Sequence, residues 1–194
     1  MKGIDGSKVL KYIVFTQIKG IGPVSQNALL DICGNIDTCF AASFDDLTEA
    51  DEAGLIGRRR IESFIDQRND MKLWAQAEEI LRLSESLGIN VITYEDIEFP
   101  ERFRSVKDVP IVLYSKGKLE INSYIHSVGV VGARRCTAEG KKLAIQITRT
   151  AVESNATVIS GMAKGIDGAA HSGCIEAGGR TIAVMRKWIW SYIS

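Results

Sequence analysis

The stretch that decides the fold runs from Val158 to Val184 and reads VISGMAKGIDGAAHSGCIEAGGRTIAV. It begins and ends in short apolar segments rich in β-branched residues, which are typical of buried strands. Between them, a glycine-containing loop leads into a helical segment that Asp167 can cap and that the Gly178–Gly179 pair can end. This order predicts two parallel strands joined by a crossover helix.

The same alternation begins one unit earlier in the chain. The segment IHSVGVVG, from Ile125 to Gly132, is a buried apolar run that ends in glycine. The following segment, TAEGKKLAIQITRTAVES, predicts a helix that is capped by Thr137 and apolar along one face. Three strands and two helices predict an α/β, Rossmann-like fold with a mostly parallel sheet covered on both faces. Ligands of such sheets bind at the carboxyl ends of the strands.

Residues 1–69 have helical periodicity and predict a small all-helical domain of the helix–hairpin–helix or SAM-like type, followed by the Rossmann-like domain over residues 70–194. The segment IKGIGPVSQNALL predicts a helix, a tight turn at Gly20 and Gly22, and a second helix that begins at Pro23. Such a turn can present N–H groups to a DNA phosphate, so it is a candidate second DNA contact. A plain helical turn, or a hairpin kept for protein contacts, is the alternative. The segment LIGRRRIESFI is a candidate degenerate second copy.

Composition restricts the function less than the motifs do. The 194 residues contain 24 Lys and Arg and 24 Asp and Glu, so any anion site must be a local arrangement. Four scattered cysteines without a C-x-x-C pair predict reduced thiols and no zinc site. The amino terminus has no signal-peptide pattern and no segment has the length of a membrane span, so we expect a cytoplasmic protein. No cofactor and no metal are expected.

Two loops follow successive strands, VGARRCT and SGMAKGID, and each leads into the amino terminus of a helix. Free N–H groups and the helix dipole then favour an anion at one place, and Arg134 and Lys164 add positive charge. The candidate phosphate-binding residues are Gly132, Ala133, Arg134, Thr137, Ser160, Gly161, Lys164, Gly165 and Asp167. Alternatively, the glycines only permit tight turns and close helix packing. A dinucleotide fingerprint and a P-loop are absent, no catalytic residue is predicted, and His171 is expected to be structural.

Three segments together resemble the DNA-processing protein A family, also called DprA or Smf. They are FPERFRSVKDVPIVLYSKG, VGVVGARRCTAEG and VISGMAKGIDGAAHSGCIEAGGRTIAV, and the resemblance covers roughly residues 76–185. It implies a Rossmann-like sheet that catalyses no reaction on a nucleotide. It also implies that Arg134 is a phosphate-contacting arginine and that Ser160 to Asp167 form a binding loop. Lys164 stands at a variable position of that loop, so its role is an electrostatic prediction only.

The resemblance further implies a function and partners. The family binds single-stranded DNA during natural transformation, protects it from nucleases, and helps load the RecA recombinase. It acts as a homodimer and catalyses no known reaction. The residues alone also allow an enzyme or binder of a nucleotide or other small phosphate ligand. A third interpretation is an interaction module whose glycines are purely structural.

The last nine residues, RKWIWSYIS, depart from the family pattern, which continues with a glycine-rich turn and further strands and helices. We therefore expect a chain that is truncated after about residue 185, with an incomplete sheet and without the family's dimer interface. A frameshift near Met185 would explain the departure.

Overall fold

The computed structural model describes residues 6–117 and 126–185. The chain divides into two compact units, Met1–Leu119 and Glu120–Ser194. The division therefore lies at residue 119, whereas the predicted domain boundary lay after residue 69. The expectations for the tail that begins at Arg186 lie outside the described residues.

The first unit consists of helices followed by a small antiparallel sheet. The helices are α1 (Gly6–Gln17), α2 (Pro23–Cys33), α3 (Ile36–Ala41), α4 (Phe44–Ala50), α5 (Arg58–Gln67) and α6 (Met71–Ser86). They are followed by β1 (Ile89–Thr93), α7 (Glu101–Arg104) and β2 (Val112–Lys116). Strands β1 and β2 pair antiparallel, with Ile89 opposite Lys116 and Thr93 opposite Val112.

The hydrophobic core of the first unit explains why β1 and β2 belong to that unit and not to the second one. The rings of Phe15 and Phe64 lie 5.1 Å apart between centroids, and that of Phe40 lies 5.5 Å from Phe64. Val112, the first residue of β2, and Ile111 before it are buried in the same cluster as these helical residues. Burial of apolar surface is the main stabilising term in folding. Since β1 and β2 bury their apolar side chains against the helices, these strands belong to the same unit as the helices.

The cysteine prediction is wrong for one pair. Cys33 and Cys39 form a disulfide, whereas Cys136 and Cys174 are free thiols. The Cα atoms of Cys33 and Cys39 lie 5.3 Å apart, because α2 ends at Cys33 and the chain turns back into α3, which contains Cys39. That separation lies within the range of disulfide geometry. The sequence spacing did not indicate it.

The second unit has the predicted parallel sheet. It contains β3 (Ser127–Gly129), α8 (Ala138–Glu153), β4 (Thr157–Gly161), α9 (Ile166–Glu176) and β5 (Thr181–Val184). The strand order is β3–β4–β5, and both neighbouring pairs are parallel. The mixed α/β fold class, with helices preceding a parallel sheet, is therefore confirmed.

The expected coverage of both sheet faces is not found in the part of this unit that the structure describes. Val128 and Val158 stand opposite each other in the sheet, and both pack in one cluster with α8 and α9 residues. Right-handed crossovers that add each strand on the same side place successive helices on one face. The two helices approach closely, since a Cβ at Gly173 would lie 2.8 Å from the Cα of Ile145.

Candidate nucleic-acid interface

The two glycine-containing loops leave the sheet at the same edge. The amide of Val130 donates to the carbonyl of Ile159 at 2.9 Å, which continues the pairing of β3 and β4 beyond Gly129. The Ser160 hydroxyl donates to the carbonyl of Val130 at 2.6 Å, and this hydrogen bond is buried. Ser160 therefore has a structural role that holds the starts of the two loops together.

The loops also touch at the start of α9. The amide of Ile166 donates to the carbonyl of Ala133 at 3.2 Å. Gly165 has φ +93°, and a Cβ there would lie 2.6 Å from the carbonyl oxygen of Arg134 and closer still to that of Ala133. A Cβ at Gly132 would lie 2.8 Å from that of Ile166. Gly132 and Gly165 therefore permit close packing, which is the structural role that the alternative interpretation gave to the glycines. The same packing brings the candidate phosphate-binding residues of both loops together.

The helix termini at this edge differ in how they are capped. Thr137 caps α8, because its hydroxyl accepts from the amide of Gly140 at 3.0 Å, and this prediction is confirmed. Helix α9 begins after Gly165 and has no side-chain cap. Within the described ranges, the amides of Asp167 and Gly168 donate to no other group. The first turn of α9 therefore has free donors and the positive end of a helix dipole.

Three cationic residues belong to the two loops that meet at this terminus. Arg134, Arg135 and Lys164 are exposed, and none of the three forms an ion pair with a residue that the structure describes. Cations without an internal partner, beside free backbone donors, are suited to bind a phosphate group.

Asp167 does not cap α9, contrary to the prediction. It is the second residue of the helix, and only 7% of its surface is exposed. A Cβ at Gly161 would lie 2.5 Å from its Oδ2, so the carboxylate lies over the last residue of β4. A carboxylate repels phosphate, so only the backbone amide of Asp167 can contribute to a phosphate site.

His171 has the structural role that was expected. Its Nδ1 lies 2.7 Å from the Thr181 hydroxyl, and its Nε2 lies 2.8 Å from the carbonyl oxygen of Gly161. A carbonyl oxygen only accepts hydrogen bonds, so Nε2 carries a proton. The ring thus joins α9 to the last residue of β4 and the first residue of β5.

The first unit contains the predicted turn between two helices, α1 and α2. Gly22 precedes α2 and Pro23 is its first residue, while Ile21 between the glycines is buried. The turn is held against α5, because the Ser63 hydroxyl donates to the carbonyl of Lys19 at 2.7 Å. Gly20 and Gly22 themselves remain exposed.

The candidate second copy differs in its hydrogen bonds. The Asp51 carboxylate accepts from the amides of Ile56 and Gly57, at 3.2 and 2.8 Å. These turn amides are therefore not free for a phosphate. Of the neighbouring arginines, Arg58 lies over the Phe44 ring at 4.7 Å, and the Arg60 guanidinium donates to the carbonyl of Ile56. Sequence analysis did not identify Asp51, although an aspartate before a glycine turn is a known local hydrogen-bond acceptor.

A family model described as DNA recombination-mediator protein A matches residues 90–191, slightly more than half of the chain. The chain belongs to this family. The match includes both loops and overlaps most of the segment on which the resemblance rested.

Curated members of the DNA recombination-mediator protein A family are similar over different lengths. Protein Smf of Synechocystis is 32% identical over 177 residues, which cover 90% of this chain and 43% of that protein. The DNA processing protein DprA of Bacillus subtilis is 38% identical over 98 residues, which cover 50% of this chain and 33% of that protein. The chain thus spans less than half the length of these relatives.

A solved structure supports the fold assignment within the family. The X-ray structure of DNA processing protein A from Streptococcus pneumoniae superposes with a TM-score of 0.63 over 90% of this chain and 57% of that one. The sequences are 24% identical in this comparison, so it supports the fold alone.

Two further findings concern other classes of function. Among the helices described for this family member, none has the length and apolar character that a membrane span requires. Within residues 6–117 and 126–185, no group of three or more His, Cys, Asp or Glu side chains is placed to bind a metal ion.

Proposed function

We propose that this chain binds the backbone of single-stranded DNA at the edge formed by the two loops. The observation that carries the proposal is the uncapped first turn of α9 beside Arg134 and Lys164, which have no ion-pair partner among the described residues. A DNA strand repeats a phosphate at every nucleotide, so a site made of backbone amides and cations binds it without reading bases. Membership of a recombination-mediator family supports the same ligand.

We further propose the partners that the family resemblance implies. The chain protects incoming single-stranded DNA during natural transformation and recombination, and it helps to load a RecA recombinase. The whole protein acts as a homodimer and catalyses no reaction. Because both DNA uptake intermediates and the recombinase are cytoplasmic, we propose the same location for this protein.

Replacing Arg134 with alanine is expected to weaken binding of a fluorescently labelled oligo-dT about tenfold at low salt. The loss of one phosphate contact should also reduce the slope of log affinity against log salt concentration by about one. Fluorescence anisotropy at several salt concentrations measures both quantities.

Arg149→Ala is the matched control. Arg149 belongs to the same unit and forms an ion pair with Glu176 at 2.9 Å. It lies eleven residues after Ala138 on α8, about 16 Å along the helix axis from the loops. We expect its removal to change affinity less than twofold. Equal losses for both variants, or competition by a mononucleotide as effective as that by oligo-dT, would contradict the strand-binding proposal and favour a small phosphate ligand.

We also propose that the hairpin at Gly20 and Gly22 makes a second DNA contact. Replacing Gly22 with alanine tests it, because a Cβ there would meet no atom within 4 Å and the fold should lose about 1 kcal/mol or less. The added methyl group would stand where a phosphate must approach the turn. We expect oligo-dT affinity to fall about threefold, as one weakened phosphate contact predicts. Unchanged affinity in the same anisotropy titration would instead support a hairpin kept for protein contacts.

A further inference from the structure

Asp167 is largely buried, and its carboxylate has no partner among the described residues. The residue is 93% buried, and no hydrogen bond or ion pair to it is found among the residues that the structure describes. Burying a charged group is costly unless hydrogen bonds or an opposite charge compensate for it. A bound ligand that donates hydrogen bonds to both oxygens would supply that compensation.

The position of the carboxylate restricts which part of a DNA strand can reach it. Its Oδ2 lies over Gly161 at the end of β4, and the carbonyl oxygen of Val184 at the end of β5 lies 4.0 Å from the same Cβ position. The residue also belongs to the helical turn whose free amides form the proposed phosphate site. A carboxylate next to a bound phosphate can be approached by the attached nucleotide, but not by a second phosphate.

The two loops offer apolar surface for the flat face of a base. Val131 is 79% exposed and Met162 is 57% exposed, one in each loop. Methionine is polarizable and makes favourable contacts with aromatic rings. These two side chains therefore offer exposed apolar surface on which a base of a bound strand can lie.

On the basis of the proposed strand binding, we propose that Asp167 recognises guanine, whose N1–H and N2–H₂ groups are adjacent donors for the two carboxylate oxygens. Cytosine and adenine offer an amino group next to an acceptor nitrogen, and thymine offers one N–H between two carbonyl oxygens, which repel a carboxylate. The site thus combines sequence-independent phosphate binding with a preference for one base.

The test compares three labelled oligonucleotides of equal length: oligo-dT, the same oligo-dT with several spaced guanines, and the same strand with hypoxanthine in place of guanine. Hypoxanthine lacks the N2 amino group but keeps N1–H. We expect the guanine strand to bind about tenfold more tightly than oligo-dT, with hypoxanthine between them, as one bidentate base contact predicts. Equal affinities of the wild-type protein for the three strands would overturn this inference, and this comparison does not depend on any variant folding.

Asp167→Asn supplies the second arm. Removing a negative charge beside a phosphate should raise the affinity for oligo-dT, while the preference for guanine falls to about one. A preference that persists in this variant, or one that disappears when EDTA removes divalent cations, would assign the selectivity to another group or to a bridging cation. Absence of oligo-dT binding by the folded wild-type protein would refute strand binding itself, whereas binding without base preference refutes only the role of Asp167.

Discussion

Replacing Gly165 with alanine is expected to destabilise the second unit by about 3 kcal/mol or more. Two penalties combine there. The residue has φ +93°, which is unfavourable for alanine, and its Cβ would enter the space of the backbone carbonyl oxygens of Ala133 and Arg134. Backbone atoms cannot rotate aside as a flexible side chain can. The loops would separate, and DNA binding should be lost together with stability.

Gly178→Ala separates these two penalties. Gly178 also has positive φ, +72°, but a Cβ there would meet nothing within 4 Å. This variant should lose only about 1 kcal/mol, which is the cost of the backbone conformation. Urea unfolding gives the stabilities, and hydrogen exchange of peptides from β4 and α9 reports the second unit separately. Equal losses for the two variants would show that contact between the loops does not constrain Gly165.

Replacing Phe64 with alanine is expected to destabilise the first unit by about 3–5 kcal/mol. Phe64 is fully buried, and its ring lies against those of Phe15 and Phe40. Truncation removes apolar burial and leaves a cavity that surrounding helices can fill only in part. Phe64→Leu should lose about 1.5 kcal/mol, because leucine retains most of the volume.

Phe103→Ala is the control for this prediction. Its side chain is an exposed aromatic, 42% accessible, and its ring lies 6.4 Å from that of Phe99. We expect a loss of about 1 kcal/mol or less. Hydrogen exchange in α1 and α5 should accelerate for Phe64→Ala and remain unchanged for Phe103→Ala. Similar exchange rates in both variants would mean that the contacts of Phe64 with Phe15 and Phe40 are not the main stabilising contacts of this unit.

Features governed by neighbouring residues were predictable from the sequence. The cap at Thr137 follows from a threonine before an amphipathic run, and the start of α2 at Pro23 follows from the restricted φ of proline. The three parallel strands follow from short β-branched runs separated by helices. Each signal acts within a few residues, so it can be read without knowledge of the remaining chain.

Other features depend on residues distant in the chain or on competing local choices. Two such features are the hydrogen bond from the Gly57 amide to the Asp51 carboxylate and the disulfide between Cys33 and Cys39. Both depend on how successive helices fold back on one another. Aspartate is a good capping residue, yet α9 begins one residue before Asp167, at Ile166. The amide of Ile166 bonds to Ala133 in the other loop, and that contact sets where the helix starts.

By itself, the sequence determined the order of helices and strands and the residue types at the carboxyl edge of the sheet, because hydrophobic periodicity and turn chemistry are local properties. Only the tertiary structure decided that Gly132 and Gly165 serve close packing, that the amides of Asp167 and Gly168 have no partner among the described residues, and that Asp167 is largely buried. The reason is physical. Burial and hydrogen-bond satisfaction are set by which surfaces meet in space, and that meeting is a property of the whole fold.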